Sequence, residues 1–252
     1  MYTFGSGFLY GIPTADSSGA AIANPTPVPF GVLQEVSLDI SFETKMLHGQ
    51  NQMPVAVGRG KGKMSGKAKF ADIRGLTYNQ IFFGTSLSAN IIAAVNDITG
   101  ATIPTTPFAI TPTVPSSGTW ARDLGVRNGV TGAYLTRVAS TPATGQYSVA
   151  AGVYTFAAAD TGILVFISYE YTATSATAKQ FTFVNQPMGY APTFMMVLSN
   201  PFQGKNLHMR LPQCISSKMA MAFKNDDFNI PELDFDAFAD VSGNCYTMAM
   251  TD

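Results

Sequence analysis

Between residues 35 and 43 the sequence EVSLDISFE alternates without a break. Val36, Leu38, Ile40 and Phe42 occupy one parity, and Glu35, Ser37, Asp39, Ser41 and Glu43 the other. A period of two puts successive side chains on opposite faces of an extended chain, so a half-buried strand is predicted here. The stretch KMLHGQNQMP carries turn chemistry, and a second strand is predicted over 55–70. In that strand Arg59, Lys61, Lys63, Ser65, Lys67 and Lys69 share one parity, against Gly58, Gly60, Gly62, Met64, Gly66, Ala68 and Phe70. One face is expected to be basic and the other almost bare.

The period changes at ADIRGLTYNQIFFG, where Asp72 is a candidate cap and Ile73, Leu76, Ile81 and Phe83 suit a short amphipathic helix ending near Gly84. LSANIIAAVNDI reads as a second short helix or a strand. Residues 101–118, rich in Pro, Thr and Ser, read as a linker. Over 119–173 short strands recur at intervals of roughly ten residues between Gly, Asn and Asp turns, as in a small sandwich or barrel. The C-terminal part returns to strands. In KNLHMRLPQ, Leu207, Met209 and Leu211 oppose Asn206, His208 and Arg210; in PELDFDAFAD, Glu232, Asp234 and Asp236 alternate with Leu233 and Phe235. At the other end, the prolines of IANPTPVPFG impose an extended arm over residues 1–31. Its Phe4, Phe8, Leu9, Tyr10 and Phe30 are more apolar than a solvated tail needs, so the arm is expected to order on a neighbour.

The predicted fold is therefore mainly β: an antiparallel β-sandwich or barrel built from 32–100 and 174–252, with one short flanking helix. The arm 1–31 precedes it, and the linker 101–118 leads to an inserted small β domain, 119–173.

Composition sharpens this picture. At 252 residues the chain can bury a sizeable core. Only 12% of its residues are charged, about half the usual share, and the net charge is -1. A free monomer keeps a more charged surface, so much of this surface is expected to lie against other protein. Charge is also unevenly placed: six of the sixteen acids fall between Asp226 and Asp240 with no base among them, a natural counter-charge to the basic strand. The start, MYTFGSGFLYGIPTADSSGAA, lacks a basic n-region, so export by a signal peptide is not indicated. No run of about 18 apolar residues suits a membrane span, so no membrane partner is expected. Cys214 and Cys245, far apart, read as free thiols.

The motifs of catalysis are missing from the sequence. A phosphate loop needs G-x-x-x-x-G-K-[ST], but Gly66-Lys67 is followed by Ala68, and Lys61 stands five before Gly66. Two histidines, His48 and His208, come without C-x-x-C or H-E-x-x-H, and NDDFNIPELDFD lacks calcium-loop spacing. Asp234 and Asp236 read as a solvated or salt-bridged strand face rather than an acid/base pair. No G-x-S-x-G elbow is present. Neither an enzyme, a cofactor nor a metal site is expected. Alternate cations could track phosphates, but the residues between them are Gly, Met, Ser and Ala rather than stacking aromatics, so only transient contact with DNA stays open.

The block VPFGVLQEVSLDISFETKMLHGQNQMPVAVGRGKGKMSGKAKFADIRG resembles the N-terminal part of tail tube (major tail) proteins of long-tailed bacteriophages. KNDDFNIPELDFDAFADVSGNCYTM is similar to their closing segment, and GQYSVAAGVYTFAAADTGILVFISYEYTA to a segment between. Together these span most of residues 28–248. The resemblance implies rings, usually hexamers, stacked into a hollow tube through which the genome passes. It also implies assembly in the host bacterial cytoplasm, residence in the virion, and tape measure, terminator and baseplate proteins as further partners. On this reading the basic face, Arg59, Lys61, Lys63, Lys67 and Lys69, meets the acidic faces of Glu35, Asp39 and Glu43 or of Glu232, Asp234 and Asp236, within or between subunits. Placing these lysines on the lumen is less favoured, because strong phosphate binding would stall ejection. The alternatives are another non-enzymatic virion part (decoration, sheath or tail-terminator protein) or a receptor- or carbohydrate-binding module. The last would use Trp120, Tyr134, Tyr147, Tyr154, Tyr169 and Tyr171, whose other role is to pack the small domain.

Overall fold

The alternating segments are strands in the computed structural model, which describes residues 2–72 and 74–251. With 51% of the chain in strands and 6% helical, the protein is mainly β, built from antiparallel sheets with one short α-helix. In chain order the first elements are β1 (Phe8–Ala15), β2 (Val28–Pro29), β3 (Leu33–His48), β4 (Pro54–Phe70) and α1 (Gly75–Tyr78). There follow β5 (Asn90–Val95), β6 (Ala101–Thr102), β7 (Ala109–Ile110), β8 (Thr119–Asn128), β9 (Thr136–Arg137), β10 (Gln146–Ala150), β11 (Val153–Phe156) and β12 (Leu164–Thr174). The last four strands are β13 (Thr193–Phe202), β14 (Lys205–Ala220), β15 (Glu232–Phe238) and β16 (Thr247–Met250). They form two compact units, Met1–Leu87 with Phe181–Asp252, and Ser88–Gln180.

The first unit is an eight-stranded sheet in the order β2-β1-β13-β14-β15-β4-β3. The long strand β14 serves two neighbours along one side: Leu207–Arg210 pair with β16, and Gln213–Ala220 with β15. Phe70, Phe194, Met196, Leu211, Leu233 and Phe235 are buried in its core, each contributing about 1.5–3 kcal/mol by leaving water. Val36 and Leu38 of β3 line one small apolar void with Met196 and Leu198 of β13. These strands stand four places apart in the sheet order, so the sheet coils until β3 faces β13 over the core.

The expected helix is one turn of α1 that continues as a π-helical turn, Asn79–Phe83, and ends on Gly84 at φ 61°. Tyr78 and Ile81 press into the core, and the Ser216 hydroxyl donates to the Ile81 carbonyl at 2.9 Å. Asp72 does not cap it. Arg74 occupies the capping position, and Asp72 instead pairs with Arg74 at 2.6 Å. Ile73, assigned to the helix from its spacing, lies outside the described residues.

The N-terminal segment departs from the expectation of an arm ordering on a neighbour. Residues Phe8–Ala15 pair with β13 of the same chain, because Leu9 and Gly11 present a face that the core accepts. Pro29 sits in β2 at the sheet edge, where its missing N–H costs no ladder bond.

In the second unit, β5, β6 and β8 flank β12, and β7-β11-β10-β9 form the other sheet. Val126, Val165, Ile167 and Tyr169 of the first sheet share a core with Tyr147, Tyr154 and Phe156 of the second. The unit is wider than 119–173. Residues 90–95, which form a strand rather than a helix, pair with Tyr169–Thr174, and 101–102 and 109–110, within the expected linker, pair with β12 and β11. Ser88 and Gln180 exchange two backbone hydrogen bonds of 2.9 Å, which close its ends.

Candidate assembly surface

The outward side of β14, β15, β4 and β3 is a ladder of charges set by strand register. Glu232, Asp234 and Asp236 stand opposite Lys69, Lys67 and Ser65, while Glu35 and Ser37 stand opposite Lys69 and Lys67 from the other side. Lys69 Nζ lies 2.6 Å from Glu35, Lys67 Nζ 2.6 Å from Glu232 and 3.8 Å from Asp234, and Lys63 Nζ 3.8 Å from Asp236. Lys218 of β14 adds contacts of 3.7 Å to Glu232 and 3.8 Å to Asp234. The hydrogen bond from Lys67 holds the Glu232 carboxyl below the usual carboxylate range, and the same bond raises the Lys67 ammonium. Seven of the sequence-predicted residues are thus brought together within one chain. Lys218 was missed, although it lies one strand away from the acids it meets.

The remaining four stand apart. Between the pairs Phe42–Gly62 and Thr44–Arg59 the register shifts, so Gly60 and Lys61 of β4 face the single residue Glu43 of β3. Such a bulge breaks the alternation. The expectation that Arg59 shares a face with Lys63, Lys67 and Lys69 is corrected on this ground. Its guanidinium lies over the Phe42 ring, 4.7 Å from the centroid, on the apolar side. Glu43 pairs with Lys45 of its own strand at 3.6 Å. Among the described residues neither Asp39 nor Lys61 has an oppositely charged partner within 4.0 Å; Asp39 lines a shallow groove of about 310 Å³ with Lys63 and Lys67.

Beyond the ladder, β3 and β4 continue as a two-stranded hairpin. Every residue from Asp39 to Lys63 is exposed except Pro54, which is half-buried. The β15 strand ends its pairing with β4 at Met64, and among the described residues no strand pairs with the hairpin on that side. On the other side β3 is the end of the sheet order, leaving sixteen residues of unpaired outer edge. Ile40, Phe42, Met46, Leu47, Met53, Val55 and Val57 project from this hairpin into solvent. The bare positions have a use: a Cβ at Gly62 would lie 2.9 Å from Phe42 Cε1, and one at Gly66 would fall on the Phe235 ring. The glycines leave room for rings that lie across the strand.

In the second unit the candidate glycan-binding aromatics are largely core. Tyr147, Tyr154 and Tyr169 are buried, and the half-buried Trp120 donates its ring N–H to Tyr154 Oη at 3.2 Å. Both Tyr147 and Tyr154 donate to Asp123, at 2.7 and 3.1 Å, and burial raises both phenols. Tyr134 is exposed. Among the described residues no group of three or more His, Cys, Asp or Glu side chains is arranged to hold a metal, and no helix is long and apolar enough to cross a membrane. A scan against protein-family models finds no match for this chain, and neither does a search of curated proteins.

Proposed function

We propose that the protein is a non-catalytic, self-assembling structural subunit whose copies join through β3, β4 and their hairpin into stacked rings. On this reading the rings form the tube of a long-tailed phage, through which the genome passes. Other tail proteins are its partners, and its place is the virion after synthesis in the host cytoplasm. One observation carries the reading: the exposed hairpin 39–63, together with the outer edge of β3, with which no further strand pairs among the described residues. A lone two-stranded hairpin is marginal in water, and an exposed long edge strand invites pairing with another chain. Rings hide such edges by pairing them between subunits, and head-to-tail contacts extend them into open stacks. The low charge of the chain accords with a surface largely covered in the assembly. The internal charge ladder fixes the register of β3, β4 and β15 within a subunit and leaves Arg59 and Lys61 for contacts beyond it.

Negative-stain electron microscopy of purified protein over a range of concentrations tests the proposal. Narrow smooth polymers with an open bore are expected. Protein that stays monomeric at every concentration overturns it.

A further inference from the structure

The hairpin and the loop between β14 and β15 are opposite in sign and lie at opposite ends of the same strands. Glu232, at the start of β15, stands beside Lys69, whereas Ala237 stands beside Met64; the hairpin turn therefore lies beyond the far end of β15 from the loop 221–231. Over residues 43–61 the hairpin carries Lys45, Arg59 and Lys61 and one acid, Glu43, a surplus of two positive charges. In the loop, Asp226 and Asp227 face Lys224, a surplus of one negative charge over residues 221–231. Lys224 reaches Asp227 at 3.4 Å, which leaves Asp226 as the loop's free acid. Both surfaces are also apolar. Met221, Phe223, Phe228 and Ile230 are exposed in the loop. The seven projecting hairpin side chains are between about a third and four-fifths exposed and are shared between the two faces of the ribbon. The acids at 232–236 are already matched by Lys63, Lys67 and Lys218 within the chain. Asp240 accepts from the Ser242 and Asn244 N–H groups of its own turn, so among the described residues Asp226 is the acid of the 226–240 stretch left for an outside partner.

We infer that the hairpin of one copy docks on the 221–231 loop of a second copy, Lys61 facing Asp226 while the loop aromatics cover apolar side chains of the hairpin. This rests on the self-assembly reading and names the surfaces it uses. Because donor and acceptor surfaces lie at opposite ends of the same strands, each docked copy presents a fresh hairpin. The contact is heterologous and propagates without closing on a pair. Its charged part sets orientation and register, and its aromatic part supplies most of the affinity.

The experiment measures the critical concentration for assembly by light scattering for the full-length protein and for Lys61→Glu, Asp226→Lys, the double variant and Phe228→Ser. Circular dichroism checks that each is folded; all three positions are exposed in the isolated chain. Each single reversal is expected to raise the critical concentration about tenfold, and Phe228→Ser by at least as much. The double variant is expected to return to within about threefold of the parent, since the two charges have exchanged places. If the parent assembles but the single reversals and Phe228→Ser match it, this docking is wrong and the assembly reading survives. If both single reversals weaken assembly and the double variant is no better, the charge pairing is wrong. If the parent never assembles, both readings fall.

Discussion

Two glycines of β4, four residues apart on the same bare parity, should respond in opposite ways to one added methyl group. At Gly66 the new Cβ would lie 2.7 Å from the Ser37 carbonyl oxygen on β3 and would also meet the Phe235 ring, which is 1% exposed. Neither neighbour can withdraw cheaply, since one is ladder backbone and the other is locked in the core. Overpacking of this kind costs about 1–3 kcal/mol, and the reduced backbone entropy of alanine offsets roughly 0.5–1 kcal/mol of it. Gly66→Ala is therefore expected to lose about 1–2 kcal/mol, which for a unit of this size lowers Tm by roughly 2–8 °C. At Gly62 the only close contact is Phe42 Cε1 at 2.9 Å, and that ring is 49% exposed and free to turn. Gly62→Ala should be neutral or stabilise by up to about 1 kcal/mol. Thermal unfolding followed by circular dichroism compares the two. Trp120, the single tryptophan, belongs to the second unit, so its fluorescence gives an internal reference that neither substitution should move. Equal shifts for both variants, or none for Gly66→Ala, would refute the packing argument.

The ladder and the thiols make further predictions. Because the Lys67 hydrogen bond depresses the folded pKa of Glu232 from its usual value near 4.5, its stabilisation is present above that value and is lost as pH falls through the depressed one. The difference in urea midpoint between the parent and Glu232→Gln should accordingly shrink as pH falls below the usual value near 4.5, and a difference that persists in strong acid would contradict the assignment. Lys67 works in the reverse sense: raised above 10.5, it stabilises below that pH and loses its effect as pH rises through the raised value. Cys214, fully buried, has its thiol pushed up to about 12, whereas Cys245 is exposed. A chromogenic disulfide reagent near neutral pH should modify one thiol per chain in dilute native protein and two in denaturant; two in the native state would show that the β13–β14 core opens readily.

Where a property belongs to one strand, it was legible in advance. The alternations at 35–43, 206–211 and 232–236 mark real strands, because successive side chains point to opposite faces whatever lies beside them. The opposite signs of the 63–69 and 232–236 faces were equally plain, and the register does bring them together. What belongs to two strands was not legible. One extra residue in β4, opposite Glu43, turns Arg59 onto the Phe42 side, and the basic parity run gives no hint of it. Residues 90–95 joined the second unit only because they pair with 169–174, and 8–15 joined the main sheet only through β13, far along the chain. The same holds for the candidate surface. Sequence alone could set cations against acids, but only the folded chain decided that Lys63, Lys67 and Lys69 are matched internally while Lys61, among the described residues, has no acid within reach. Periodicity is written in the local backbone, whereas register, bulges and burial arise from contacts between segments that no local pattern encodes.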